Sequence, residues 1–263
     1  MSMVVLAGGL LSAVMALAWR VQRATGNSGW IDVFWSFGLG AVAVALALWP
    51  LGQNVWPDVR QLCVAALAGS WSLRLGLHLL LRTKAMDDDP RYRKLMDDWG
   101  ERASSNLFWQ LQIQALVALL LVVAIALAAH NPAEYIRAQD VAAGLILVIG
   151  IAGEALSDFQ LRRFKADPAN RGKICDTGLW RWSRHPNYFF DWLIWISYPL
   201  LAIDFSGAYP FGFLALSAPI CMYWILVHVS GIPPLEAHML RTREAAFRNY
   251  QKRTNAFFPS PPR

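Results

Sequence analysis

Charge is scarce in this chain. Only 16% of its 263 residues are Asp, Glu, Lys or Arg, where a soluble domain carries about a quarter. Ordinary soluble folds are disfavoured on that ground. Cysteine is scarcer: Cys63, Cys175 and Cys221 lie far apart. Without CxxC spacing they offer neither a disulfide framework nor a thiolate metal site. Cys63 and Cys221 read as small apolar packing residues. His78, His130, His185, His228 and His238 form no HxxxH or HExxH pair, so no metal site is expected. No GxGxxG follows a strand and no GxSxG occurs, which excludes a Rossmann domain and a hydrolase elbow. No Lys or Arg precedes Arg20. The first apolar run therefore lacks the basic start of a cleaved signal peptide and is expected to be retained.

Apolar residues are abundant, at 56%, and they come in long runs. A helix needs about 20 mostly apolar residues to cross the hydrocarbon core. Seven runs reach or approach this: residues 3–19, 30–51, 59–81, 107–129, 139–160, 188–204 and 210–231. Backbone groups in lipid must pair within the segment, and strict alternation is absent, so helices are expected rather than a barrel. The expectation is an all-α integral membrane bundle of about seven transmembrane helices in a single domain, 1–263. The basic residues orient it. One set of loops and ends collects 21 of the 24 Lys and Arg, the other set two, and Arg74 lies inside the third run. The positive-inside rule places the rich side in the cytoplasm, hence the N-terminus outside and the C-terminus cytoplasmic. The net charge of +6 is this bias plus contact with anionic lipid. It does not call for nucleic acid.

Polar groups inside such runs are costly to keep and mark function or a buried network. Asp32 opens the second run. Arg74 and His78 share a face of the third, and Glu154 and Asp158 share a face of the fifth, with Arg162 one turn on. Between the third and fourth runs the tetrapeptide DPRY lets Asp89 cap a helix starting at Pro90. Between the fifth and sixth, DTG supplies a turn with Gly178 suited to positive φ. The stretch RWSRHPNYFFDW, Arg181 to Trp192, follows. Its tryptophans suit the headgroup level, but Asn187 and Asp191 need another explanation. A helix starting near Pro186, flanked by Arg181 and Arg184, suits a phosphate. The tail holds Pro233, Pro234 and an apolar stripe of Leu235, Met239, Ala246, Phe247 and Tyr250 beside basic residues. It reads equally as an amphipathic helix on the inner leaflet or as a cofactor lid.

Three pieces carry a family resemblance: SDFQLRRFK at 157–165, TGLWRWSRHPNYFFDW at 177–192 and EAAFRNYQKRTNAFFP at 244–259. From Gly153 onward the chain resembles the C-terminal domain of the steroid 5-alpha-reductase family, over about 110 residues. GWIDVFW and DPRY in the first half resemble the bacterial branch of that family. The resemblance implies a multi-pass protein of the bacterial inner (plasma) membrane. It further implies an NADPH-dependent reductase of a carbon–carbon double bond conjugated to a ketone. The substrate would be lipophilic, steroid-like or isoprenoid, and would enter from the bilayer. Residues 1–135 would face the substrate and 136–263 the cofactor.

By position, Asp158 and Arg162 match cofactor contacts, with Lys165, Arg181 and Tyr188 beside them. Asn187 matches a contact to the nicotinamide end, and Asp191 a supporting acid. Arg184 and His185 belong to the RHPNY motif, and Tyr250 to the tail that closes over the cofactor. Asp32 is the nearest acid for polarising the ketone, acting as a buried, protonated donor, and Tyr92 stands for the family tyrosine. The chain departs from the family at Ile31, at Trp71 and at Glu154. A second resemblance remains open. Isoprenylcysteine and phospholipid methyltransferases, which use S-adenosylmethionine, also carry an RHP-tyrosine motif and a late acid, here Glu236.

Overall fold

The computed structural model describes residues 2–50 and 56–263. Among these the regular structure is entirely helical. The described residues form nine α-helices: α1 (Ser2–Thr25), α2 (Gly29–Ala47), α3 (Val59–Lys84), α4 (Pro90–Trp99), α5 (Ala103–Ala129), α6 (Ala138–Ala166), α7 (Pro186–Ala202), α8 (Ser217–Trp224) and α9 (Ile232–Arg253). Among the described residues, six helical segments are long and apolar enough to cross a membrane, and the protein is a multi-pass membrane bundle. Seven spans were expected. The difference is α7, whose 17 residues extend only about 25 Å against a core of about 30 Å. The last candidate, Pro210–Arg253, joins a 3-10 turn, α8, a π-turn at Ile225–Val229 and α9. The second expected run ended at residue 51, outside the described residues. Cys63, expected to pack, is exposed.

The chain packs as two units. The first comprises Met1–Ile136 and Tyr198–Ala218. Here α2 lies along α3, and α1 against both α2 and α5. Small residues permit this: a Cβ added at Gly76 would stand 2.6 Å from the Phe37 ring. Close backbone approach of this kind replaces the hydrophobic drive that lipid does not supply. Polar ties fasten both ends. At one, the Gln61 side chain closes a capping box with Asp58 and donates to the Ala47 and Trp49 carbonyls at 3.0 and 3.1 Å. Asn131 donates to the Ala202 carbonyl at 2.8 Å. At the other, Asn27 donates to the Thr83 and Met86 carbonyls at 3.1 and 2.8 Å. These bonds satisfy helix-end carbonyls that water would otherwise have to reach.

The second unit comprises Arg137–Ser197 and Pro219–Arg263. Its frame is α6 against the first part of α7. Gly150 makes room, since a Cβ there would meet Ile194 Cγ1 at 2.5 Å. The connection from α6 to α7 folds back on α6. The Trp180 indole donates to the Ser157 carbonyl at 3.0 Å, and Leu179 N–H to Gln160 Oε1 at 2.9 Å. Gly178 sits against Gln160 with φ +60, as the DTG turn requires. α9 is amphipathic as expected, with Phe247 and Tyr250 buried, but it bends at Arg243. Beyond it, residues 254–260 form a strap over the Trp182–His185 segment. Arg184 N–H donates to the Asn255 carbonyl at 2.9 Å and Ser260 N–H to the Trp182 carbonyl at 3.0 Å. The Ser183 hydroxyl donates to the Phe257 carbonyl at 2.9 Å. Phe257 and Phe258 complete an aromatic cluster with Phe189, Trp192 and Tyr223.

Candidate functional site

In the first unit, Asp32 and Tyr92, sixty residues apart, come together. The Tyr92 hydroxyl donates to Asp32 Oδ1 at 3.1 Å and accepts from the Gln114 amide at 3.2 Å. The Arg91 guanidinium ion-pairs with both Asp32 and Asp89, and Arg82 also pairs with Asp89. Asp89 caps α4 as expected, accepting from Arg91 N–H at 2.9 Å. It is 4% exposed. Burial alone would raise its carboxyl, but the hydrogen bonds and charge of Arg91, with Arg82 behind, hold it below the usual carboxylate value. Asp32 was expected to be a protonated donor; in the structure it is an acceptor in both contacts. The O–H in this cluster is that of Tyr92. Beside it lies a recess of about 10 Å³ lined by residues including Asn27, Asp32, Arg82 and Asp89, room for about one water molecule. Gln114 was missed by sequence reasoning. Its one signal was an amide interrupting the apolar run of α5.

In the second unit the expected cofactor residues fall into three groups. Asp158 and Asn187 meet, with the Asn187 amide donating to Asp158 Oδ1 at 3.3 Å. This contact joins the α6 motif to the start of α7. Asp158, Asp191 and Glu154 are all buried.

The second group is Arg184, His185, Tyr188 and Tyr250, which the structure places in a knot around Glu236. The Glu236 carboxylate accepts from Arg184 at 2.8 and 3.2 Å, from Gln251 at 2.8 Å and from His185 Nε2 at 3.1 Å. Arg184 also donates to the Thr254 carbonyl. A carboxylate only accepts, so His185 carries its hydrogen on Nε2. Burial pushes the imidazole below its ordinary value; Glu236 opposes this and Arg184 adds to it. Tyr188 stacks on His185 with ring centroids 5.6 Å apart. The Tyr250 hydroxyl donates to the Trp180 and Ser183 carbonyls. These side chains fasten α9 and the strap to the α7 entrance. The strap contacts of Ser183, Asn255 and Ser260 were not foreseen, since short polar residues in a tail carry no pairing signal.

The third group, Arg162, Lys165 and Arg181, is exposed at the end of α6 and the loop beyond it. Exposed guanidinium and ammonium groups there fit the donor set that phosphate oxygens need. No cluster of three or more potential metal ligands occurs among the described residues.

A protein of Schizosaccharomyces pombe described as uncharacterized protein C594.04c is 27% identical to this chain over 278 residues, covering 96% of this chain and 78% of that protein. The family described as protein of unknown function (DUF1295) matches residues 18–254. That range takes in Asp32, Tyr92, Asp158, Asn187, Glu236 and Tyr250, and leaves out Asn255 and Ser260 of the strap. The chain belongs to this family of unknown function, DUF1295.

Proposed function

We propose that this protein is an NADPH-dependent membrane reductase of a carbon–carbon double bond conjugated to a carbonyl, acting on a lipophilic substrate drawn from the bilayer. The observation that carries this reading is the Asn187–Asp158 contact. It joins two of the three sequence pieces on which the resemblance to steroid 5-alpha-reductases rests, in a family related to such proteins. Asn187 gives one amide hydrogen to Asp158. Its second N–H and its carbonyl oxygen are the complement of a nicotinamide carboxamide. Arg162, Lys165 and Arg181 would hold the phosphates, for which the arginine fork is well suited. NADPH, when bound, supplies the hydride. The protein's part is to orient that group and exclude water. Tyr92 is the donor type that a carbonyl oxygen needs as negative charge develops on it.

The test is consumption of NADPH by the detergent-purified protein against a panel of lipophilic enones, steroid, polyprenyl, fatty and quinone-like. Wild type is expected to turn over at least one class, and Asn187→Ala to lose that turnover while keeping its melting temperature. Full activity in the Asn187 variant would sink the assignment.

One observation favours a second reading. The RHP motif and the late acid of the methyltransferase pattern do meet, as Arg184, His185 and Glu236. S-adenosylmethionine carries no phosphate, so the exposed cations of the α6 end favour NADPH.

A further inference from the structure

The two large basic segments manage their charge differently. Residues 82–102 hold six Lys and Arg and six Asp and Glu. The pairs form: Arg82 and Arg91 with Asp89, Arg93 with Asp88, Lys94 with Asp98. Residues 162–184 hold seven cations and only two acids, Asp167 and Asp176. Both acids are engaged. Asp167 accepts from Ala169 N–H at 2.9 Å, and Asp176 pairs with Arg253 at 3.1 Å. Arg163, Arg171 and Lys173 are exposed there, and no acid of the segment faces them as a partner.

Their position adds a second argument. α6 has 29 residues, about 43 Å at 1.5 Å per residue, against a hydrocarbon core of about 30 Å. Its basic last turns therefore emerge at headgroup level. The folded-back loop is held to that end by Asn170, which donates to the Phe164 carbonyl at 3.1 Å. Trp182 and Phe258 are 44% and 49% exposed, and the Ser260–Trp182 hydrogen bond ties their segments together. Exposed aromatic rings on the connection and strap of the same unit as these cations match the interfacial zone of a bilayer.

We propose that Arg163, Arg171 and Lys173, with Trp182 and Phe258, form a docking surface for anionic lipid headgroups at the membrane face where α6 ends. This surface is independent of the redox reading, because it uses none of the residues assigned there to cofactor or substrate. The α4 side, where six acids balance six cations and four of the cations are ion-paired, makes no such contact.

The test is thermal melting of the detergent-solubilised full chain, titrated with phosphatidylglycerol, phosphatidylcholine or inorganic phosphate. Phosphatidylglycerol should raise the melting temperature of wild type well beyond phosphatidylcholine, and 0.5 M salt, here about enough to shorten screening to a few ångströms, should remove the difference. The double variant R171Q/K173Q should need roughly 30-fold more phosphatidylglycerol for half the effect, at about fivefold per surface cation. K94Q, which removes a cation already paired with Asp98, should respond as wild type. If R171Q/K173Q does not fold, R163Q carries the same test with a fivefold expectation. Equal response to the two lipids, an unchanged response in the Arg171/Lys173 variant, or a loss of response in K94Q each overturns the proposal. Stabilisation by inorganic phosphate equal to that by phosphatidylglycerol also overturns it, in favour of a soluble phosphate ligand.

Discussion

The Glu236 carboxylate accepts four hydrogen bonds, two from Arg184, one from His185 and one from Gln251. Removing its charge leaves Arg184 and His185 enclosed without their acceptor, and breaking such a pair from one side costs about 3–5 kcal/mol. Glu236→Ala is therefore expected to lower the melting temperature and to speed tryptic cleavage at Lys252 and Arg253, where the strap begins; unchanged cleavage would mean the knot holds nothing. His185 gives a pH signature. Its pKa is depressed in the folded state relative to about 6.5 unfolded, so the unfolded chain binds more protons as pH falls. The stability it contributes is complete above about 6.5 and is lost as pH falls below that value. Melting from pH 8 down to pH 5 should show a drop that is smaller in His185→Gln; equal slopes would contradict this. Asp32 and Asp158 were legible as polar groups in apolar runs, and Tyr92 and Asn187 as members of the DPRY and RHPNY motifs. Their pairing across sixty or thirty positions was not, since separation in sequence carries no distance. Arg184 and His185 were read as cofactor contacts through the RHPNY resemblance; their ion pair with Glu236, fifty residues downstream, follows from no spacing rule.

Apolar runs gave away the helices, and the breaks between them lay at Asn27–Ser28, at Pro90 and at Pro186, where capping chemistry dictates. The bend at Arg243, the π-turn at Ile225–Val229 and the strap were not legible, because each depends on a packing partner. Run length misjudged α7. A reading that grouped Tyr188 to Asp204 as a full span met a helix that starts at Pro186 and stops at Ala202. Thinning of the bilayer can accommodate a deficit of a few ångströms, so α7 is expected to cross. Reporter fusions at the two ends should then read opposite faces, N-terminus outside. Reporters on the same face would show that α7 does not cross. Helix contact gives a second expectation. Gly150→Leu forces a side chain into Ile194 and the Phe190 carbonyl. Overpacking of this kind costs about 1–3 kcal/mol, read as a lower melting temperature.

At the scale of the whole chain, the resemblance implies a substrate half ending at residue 135, and the first packing unit breaks off at Ile136, with Tyr198–Ala218 returning to it. That return was invisible in the sequence, since no motif in Tyr198–Ala218 marks which unit it packs with. The first unit gathers Asp32, Arg91, Tyr92 and Gln114 in one cluster; the second holds two, Asp158 with Asn187 and the Glu236 knot. The central claim concerns the second unit and the cofactor it takes. The direct measurement is the melting temperature of the detergent-purified protein with NADPH, NADH or S-adenosylmethionine. A ligand at a hundred times its Kd stabilises the native state by about 2.7 kcal/mol. The account predicts a clear rise with NADPH, a smaller one with NADH and none with S-adenosylmethionine. A rise with S-adenosylmethionine and none with NADPH would contradict it.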